Sequence, residues 1–369
     1  MPQPQSESLP AEPQVGTKGG RAKTHPRRRG VLLIIGLSIG AFVAAIVAAG
    51  IGQVHIPPLE VLGSVLNRIG IDIGVMPSHP QGESALWIVR FPRVVLALLV
   101  GAALASAGGL MQGVFGNPLA EPSIIGVSAG SAVGAATVIV IGGALVSGWT
   151  IAGAAFLAGL GTTFLVYALS RSGGRTEVVT LVLTGVAVNA VASALLALLT
   201  FMASTAAREQ IVFWQLGSLN RATWQQVAIV APLALGGIAI STLIARKIDL
   251  LSLGERAARH LGVNVEQLRI MAVVLVAIMT ASGVAFTGII AFVGLVVPHL
   301  VRMIAGPGHR ILLPASAVGG ALVLVLADLV ARTLVENADL PLGMLTSLVG
   351  GPFFFYLLRR TRARQGGWA

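Results

Sequence analysis

The chain has no cysteine. That excludes a disulfide framework, a thiolate metal site and a catalytic thiol. Charge is scarce as well: 11 % of residues are Asp, Glu, Lys or Arg, against about 25 % in an ordinary soluble domain. Lysine occurs only at Lys18, Lys23 and Lys247, each preceded by Thr17, Ala22 or Arg246. A phosphate-binding loop needs a Gly-Lys pair, so the chain has no such loop with which to hydrolyse a nucleotide. No His-x-x-x-His or Glu-x-x-His cluster lies on any apolar run. Nothing assembles a metal site or a general acid–base pair, so no catalytic residue, metal ligand or cofactor is expected.

What fills the space is apolar. Hydrophobic residues make up 55 % of the 369, with 46 glycines and a mean hydropathy of +0.87. This composition over the whole length marks an all-α, polytopic membrane protein, and abundant glycine suits close helix packing in lipid. Apolar runs long enough to cross a bilayer fall near 31–52, 94–115, 123–145, 150–170, 178–203, 226–245, 270–288, 289–305, 311–333 and 341–358. The seventh and eighth form one long run interrupted by Gly283, Gly288 and Gly294. One long helix there would invert everything after it.

The net charge of +11 suggests nucleic acid until its placement is considered. With ten spans and both termini inside, nineteen of the 25 basic residues fall on the cytoplasmic side. The outer six are Arg68, Arg90, Arg93, Arg208, Arg221 and Arg332. Nine spans would strand the C-terminal arginine cluster outside, so the positive-inside rule favours ten. Residues 1–29 read as a disordered basic cytoplasmic tail, and residues 361–369 as a second cytoplasmic tail. The run from Val31 is too long for a signal-peptide core and reads as a signal-anchor-like first span.

Two stretches stand apart. The inner loop 246–269 has mixed charge and reads as two short helices around Gly254 and Gly262. Leu251, Leu253, Ala257, Ala258 and Leu261 offer an apolar ridge there, which suits a soluble partner docking from the cytoplasm. The first outer loop, about 53–90, carries a helical pattern after Pro57-Pro58. Blocks 94–203 and 270–358 each open on a glycine-spaced pair of spans entering from opposite sides, the arrangement of an inverted repeat.

Among ionisable residues, Asp328 has Arg332 four residues on and is expected to pair with it. That favours a structural partner over a proton carrier. His299 is a lone histidine and reads as a packed or capping residue. Arg90 and Arg93, three apart, are expected on one helix face outside the second span, with Arg332 on the same side. Arginines at span ends ordinarily snorkel to headgroups. Three of them on the outer side run against the sorting rule, and an acidic protein partner would explain them.

Ordered motifs carry a further resemblance. Arg90-Phe91-Pro92-Arg93, Gly101-Ala102-Ala103-Leu104-Ala105, Gln112, Asn117-Pro118-Leu119-Ala120-Glu121-Pro122 and Gly126-Val127-Ser128-Ala129-Gly130 head the series. Leu183-Thr184-Gly185, Leu253-Gly254-Glu255, Phe292-Val293-Gly294, Leu340-Pro341-Leu342-Gly343 and Gly351-Pro352-Phe353-Phe354 continue it. Together they resemble the FecCD family, the permeases of binding-protein-dependent ABC importers for ferric siderophores, haem and cobalamin. The resemblance covers about residues 31–358 and implies a ten-span permease domain over 30–360 in a bacterial cytoplasmic (inner) membrane. It implies a homodimer with its path on the twofold axis, two ATPase subunits below and a substrate-binding protein docking from outside.

By motif position, Arg90, Arg93 and Arg332 are similar to the arginines that bridge to glutamates of the binding protein. Leu253, Gly254, Glu255, Arg256, Ala258, Arg259, Leu261, Gly262 and Val263 resemble the helices that couple to the ATPase. Asn117, Pro118, Glu121 and Pro122 match the family's turn. The cargo expected is an iron chelate, with haem favoured by the outer His55 and His79. Cobalamin is the alternative within the family; a proton-coupled secondary transporter and a membrane enzyme or receptor are the alternatives outside it.

Overall fold

The computed structural model describes residues 26–172, 175–335 and 338–364. Fourteen helices follow one another among the described residues. They are α1 (Pro26–Gly50), α2 (Pro58–Arg68), α3 (Gly82–Ser84), α4 (Phe91–Phe115), α5 (Val127–Ile141), α6 (Gly148–Leu169) and α7 (Val178–Met202), then α8 (Thr205–Leu216), α9 (Trp224–Leu251), α10 (Glu255–His260), α11 (Val265–Thr287), α12 (Val293–Ala305), α13 (His309–Thr333) and α14 (Leu342–Arg364). A two-residue hairpin joins α6 to α7, with β1 (Arg171–Ser172) antiparallel to β2 (Arg175–Thr176).

Seven helical segments are long and apolar enough to cross a membrane, and three shorter apolar helices accompany them: Val127–Ile141, Val293–Ala305 and Leu342–Tyr356. These ten coincide with the ten apolar runs of the sequence. The long run after Val265 divides where the sequence left it open. α11 ends at Gly288 (φ 71°), a non-helical link follows, and α12 begins after Phe292. Phe292 is the one described non-glycine residue with a positive φ, 66°. Such a conformation persists only when its surroundings enforce it.

α4 is the hub. It packs against α9, α11, α12 and α13 and is the most deeply buried of the long apolar helices. Small residues allow the approach. A Cβ at Gly108 would stand 1.7 Å from the Gly294 carbonyl oxygen of α12. A Cβ at Gly101 would stand 2.2 Å from that of Gly320 on α13. In lipid, where apolar surface gains nothing by leaving the solvent, such van der Waals contact is what holds helices together. Ala135, Ala152, Ala155 and Ile211 build a second packing centre among α5, α6 and α8. A third, smaller one lies under α2, where Val61 meets Ala49, Leu86 and Phe91.

Three expectations need correction. The loop 246–269 does not hold two short helices. Arg246–Leu251 contains no breaker and continues α9, while Asn264 caps α11 and takes Val265 onward into it. Only α10 stands between, bounded by Gly254 (φ 101°) and Gly262 (φ 83°). The second apolar segment is also longer than its uncharged run. The helix is continuous from Gly82 to Phe115, passing through a π-helical turn at Ala85–Arg90. At the ends, residues 26–29 of the expected tail form the first turn of α1, and residues 361–364 extend α14. The remainder of both expected tails lies outside the described residues.

Candidate functional site

Where α1 ends, its last backbone carbonyls have no helical partner. Two arginines supply the donors. The Arg90 guanidinium donates to the carbonyls of Ala49 (2.8 Å) and Gly50 (3.0 Å) and also to that of Val54. Arg332 donates to the Ile51 carbonyl (2.7 Å) and to that of Ala48. Guanidinium groups at a helix C-terminus also answer its negative dipole.

Arg93 turns elsewhere. Its Nε donates to both oxygens of Asp328, at 3.0 and 3.1 Å, and its Nη1 to Asp339 at 3.0 Å. Asp328 therefore sits between Arg93 and the Nε of Arg332, 3.7 Å away. The expected i,i+4 pair is present, and the larger partner comes from a helix 235 positions distant in sequence.

Arg90 and Arg93 thus do not act as one exposed face. The π-turn sends Arg90 to α1 and leaves Arg93 on α13. All three side chains are sequestered: Arg90 is 7 % exposed as a residue, and the Arg93 and Arg332 side chains 11 % and 10 %. The sequence singled out these arginines but missed Asp339, for which neither spacing nor motif gave a signal.

At the opposite end of the bundle, α10 is tied to its neighbours by charge. Glu255 accepts from Arg259 at 2.8 Å and from Arg269 of α11. Arg269 also donates to the Thr176 carbonyl of the hairpin at 2.7 Å. Glu266 accepts from the hydroxyls of Tyr167 and Thr176, both at 2.7 Å. Burial pushes the Glu255 carboxyl up, but Arg269 and Arg259 outweigh it and hold it below its usual range. These groups border a cleft of about 860 Å³ whose walls include Thr176, Glu255, Arg259, Asn264 and Arg269.

The apolar ridge read from the sequence divides. Leu251 and Ala258 turn into the core and Ala257 is half-buried, whereas Leu253 and Leu261 stay exposed at 64 % and 58 %. Val263, beyond the ridge, is buried as well. Arg256 is exposed, as are the flanking glycines Gly254 and Gly262. Sequence reasoning missed Tyr167, Thr176 and Glu266, which meet through contacts 99 and 90 residues apart and join α10 by way of Arg269.

Between the two ends, the turn after α4 is locally determined. The Asn117 side chain accepts from the Leu119 N–H at 2.9 Å, and Pro122 opens a 3₁₀ turn packed on Gly294. Glu121 lies beside Ser123 and beside the backbone of Phe292, the residue before α12. The motif therefore buttresses the break between α11 and α12. A further polar contact joins α9 to α13: Asp249 accepts from the backbone N–H of His309 at 2.8 Å and faces its Nδ1 at 2.7 Å. His299 is a packed residue whose Nδ1 has no partner among the described residues. His79 accepts from the Gln81 N–H of its own loop.

Comparisons agree with this architecture. Residues 33–360 match the FecCD transport family. The chain is 41 % identical over 286 residues to the hemin transport system permease protein of Yersinia pestis, covering 76 % of this chain and 85 % of that one. It is 41 % identical over 278 residues to the cobalamin import system permease protein of Halobacterium salinarum, covering 75 % and 73 %. A solved structure of a metal-chelate type ABC transporter in an inward-facing conformation superposes with a TM-score of 0.78 at 33 % identity, over 89 % of this chain and 99 % of that one.

Proposed function

The chain belongs to the FecCD transport family, and from that premise we propose that it is the membrane-spanning permease subunit of an ABC importer. Its cargo is an iron chelate, haem or a ferric siderophore, brought into the cytoplasm of a bacterium. Ten helices cross the inner membrane: α1, α4, α5, α6, α7, α9, α11, α12, α13 and α14. Both termini are cytoplasmic, which the inward bias of basic residues supports. Two copies form the working unit, with the path on their twofold axis and the two halves of each copy as inverted repeats.

The observation that carries this reading is α10. A short helix stands off the inner end of the bundle, shows two leucines to solvent and is strutted to α11 and the hairpin through Arg269. Since the sequence holds no nucleotide-binding loop, energy must arrive through such a handle from a separate ATPase. The coupling segment is Leu253–Val263, with Gly254 and Gly262 as its hinges. ATP binding draws the ATPase subunits together, α10 moves with them, and the helices shift between outward and inward openings. The chain itself carries no catalytic group.

A binding protein delivers cargo at the mouth around Arg90, Arg93 and Arg332. Each guanidinium is already bonded within the chain, so a partner carboxylate reaches Arg93 by replacing Asp339. The Asp339 side chain, 29 % exposed, is the most open member of that network. Cobalamin is the second reading of the cargo, favoured by the equal 41 % identity to a hemin and a cobalamin permease. A proton-coupled transporter is disfavoured, because Asp328 is held between two guanidinium groups.

The test is reconstitution with candidate ATPase and binding protein, followed by uptake of labelled haem, ferric siderophore and cobalamin. ATP-dependent uptake of an iron chelate supports the assignment. Uptake of cobalamin alone moves it to the second reading, and no ATP-dependent uptake of any of the three contradicts it.

A further inference from the structure

The segment between α1 and α4 presents a surface that the transport reading leaves unused. α2 rests its inner side, with Val61 and Val65, on Ile46, Ala49 and Phe91. The chain then turns at Gly70 (φ 88°) and Gly74 (φ 70°) and lies back across α2. There a Cβ on Gly63 would meet the Val75 carbonyl oxygen at 1.8 Å. Ile69, Ile71, Ile73, Val75 and Met76 all remain exposed, with Ile69 at 67 %.

The acids of this segment are used internally. Glu60 accepts from the Ser78 N–H at 3.0 Å, Asp72 from the Gly74 N–H at 2.8 Å and Glu83 from the Ser64 hydroxyl at 2.7 Å. They shape the loop and leave the aliphatic side chains as its outer surface. Five exposed aliphatics within eight residues are more than isolated surface hydrophobes, and such a patch marks a binding surface.

Its position identifies the occupant. The exposed stripe of α1, which includes Ile35, Ile39, Phe42 and Val43, stops at Val43 because the α2 segment covers Ile46 and Ala49 beyond it. The aliphatic loop thus continues the apolar exterior of α1 past the end of that stripe. A tryptophan pair marks the level: Trp87 stacks on Trp224 at 6.3 Å, where Trp224 opens the membrane-length helix α9. The Arg68 guanidinium lies 5.0 Å above the Trp87 ring. Tryptophan and arginine of this kind sit at headgroup depth. The patch itself holds neither aromatic nor arginine, the residues enriched where proteins grip one another.

We propose that Ile69–Met76 is a lipid-contacting loop, lying in the interfacial region of the outer leaflet and anchoring the outer end of α1 to the bilayer. The proposal rests on the membrane embedding of the chain and not on its cargo. Because the natural sequence has no cysteine, single spin labels can be placed at Ile71→Cys, Ile73→Cys and Phe42→Cys in the otherwise unaltered full chain. Each would be reconstituted in phosphatidylglycerol/phosphatidylethanolamine vesicles. Collision with oxygen should exceed collision with a water-soluble nickel chelate at both loop positions, as at Phe42.

Nickel exceeding oxygen at 71 and 73, with Phe42 still oxygen-accessible, would overturn the loop proposal and leave embedding intact. The reverse failure, nickel access at Phe42, would count against embedding itself and with it the loop. Labels shielded from both reagents only after a binding protein is added would overturn it in favour of a protein partner.

Discussion

The two ends of the bundle use charge in opposite ways. Around the end of α1, three arginines and two aspartates are folded into the structure, and Asp328 has a side chain only 2 % exposed. Around α10, Glu255 and Arg259 keep side chains 43 % and 45 % exposed, next to leucines open to solvent. The first set of charges stitches α1, α4 and α13 together; the second holds a short helix whose leucines face solvent. An arginine at a span end can therefore be architecture, and its residue type alone does not make it a docking group.

The strongest way to break this contrast is Arg93→Ala. It leaves the Asp328 carboxylate buried beside Arg332 alone, and breaking a buried pair costs about 3–5 kcal/mol. Thermal unfolding in detergent should show a large loss, with much of it recovered by Arg93→Met combined with Asp328→Leu. If Arg93→Ala melts like the parent, the network around Asp328 does not hold the helices together and the contrast fails.

The end that carries α10 should respond the other way. Leu253→Glu with Leu261→Glu should leave the melting temperature nearly unchanged, since exposed substitutions alter stability by about 0.5 kcal/mol or less. Copurification of the ATPase should drop at least tenfold. An unfolded variant, or retained ATPase, would remove α10 from the coupling role.

A smaller effect concerns the Glu255 strut. Its folded-state pKa lies below the ordinary 4.5, so its contribution is present above that value and lost as pH falls through the lowered one. Hydrogen exchange of the α10 amides, corrected for intrinsic rates, should lose protection only below about pH 4.5. Glu255→Gln should abolish that pH dependence.

Much of the architecture was readable because lipid imposes strong rules on sequence. Ten apolar runs and a glycine-rich interior follow from the absence of water in the bilayer core. Asp328 with Arg332 was legible for the same local reason, as an i,i+4 pair. What escaped the sequence was long-range. Nothing in the spacing brings Arg93 to Asp328 and Asp339, or Arg269 to Thr176. The extension of α9 through Leu251 was missed because charge suggested a loop where no helix breaker stood. The Asn117–Pro122 turn was recognisable as a motif, yet its contact with Phe292 depends on how α12 packs against α4.

The central claim is that this chain is a conduit without an engine of its own. Proteoliposomes containing the chain alone, given a pH gradient and labelled chelate, should show no uptake above empty vesicles. Adding the ATPase, the binding protein and ATP should start it. Uptake driven by the pH gradient in the absence of any ATPase would contradict the account.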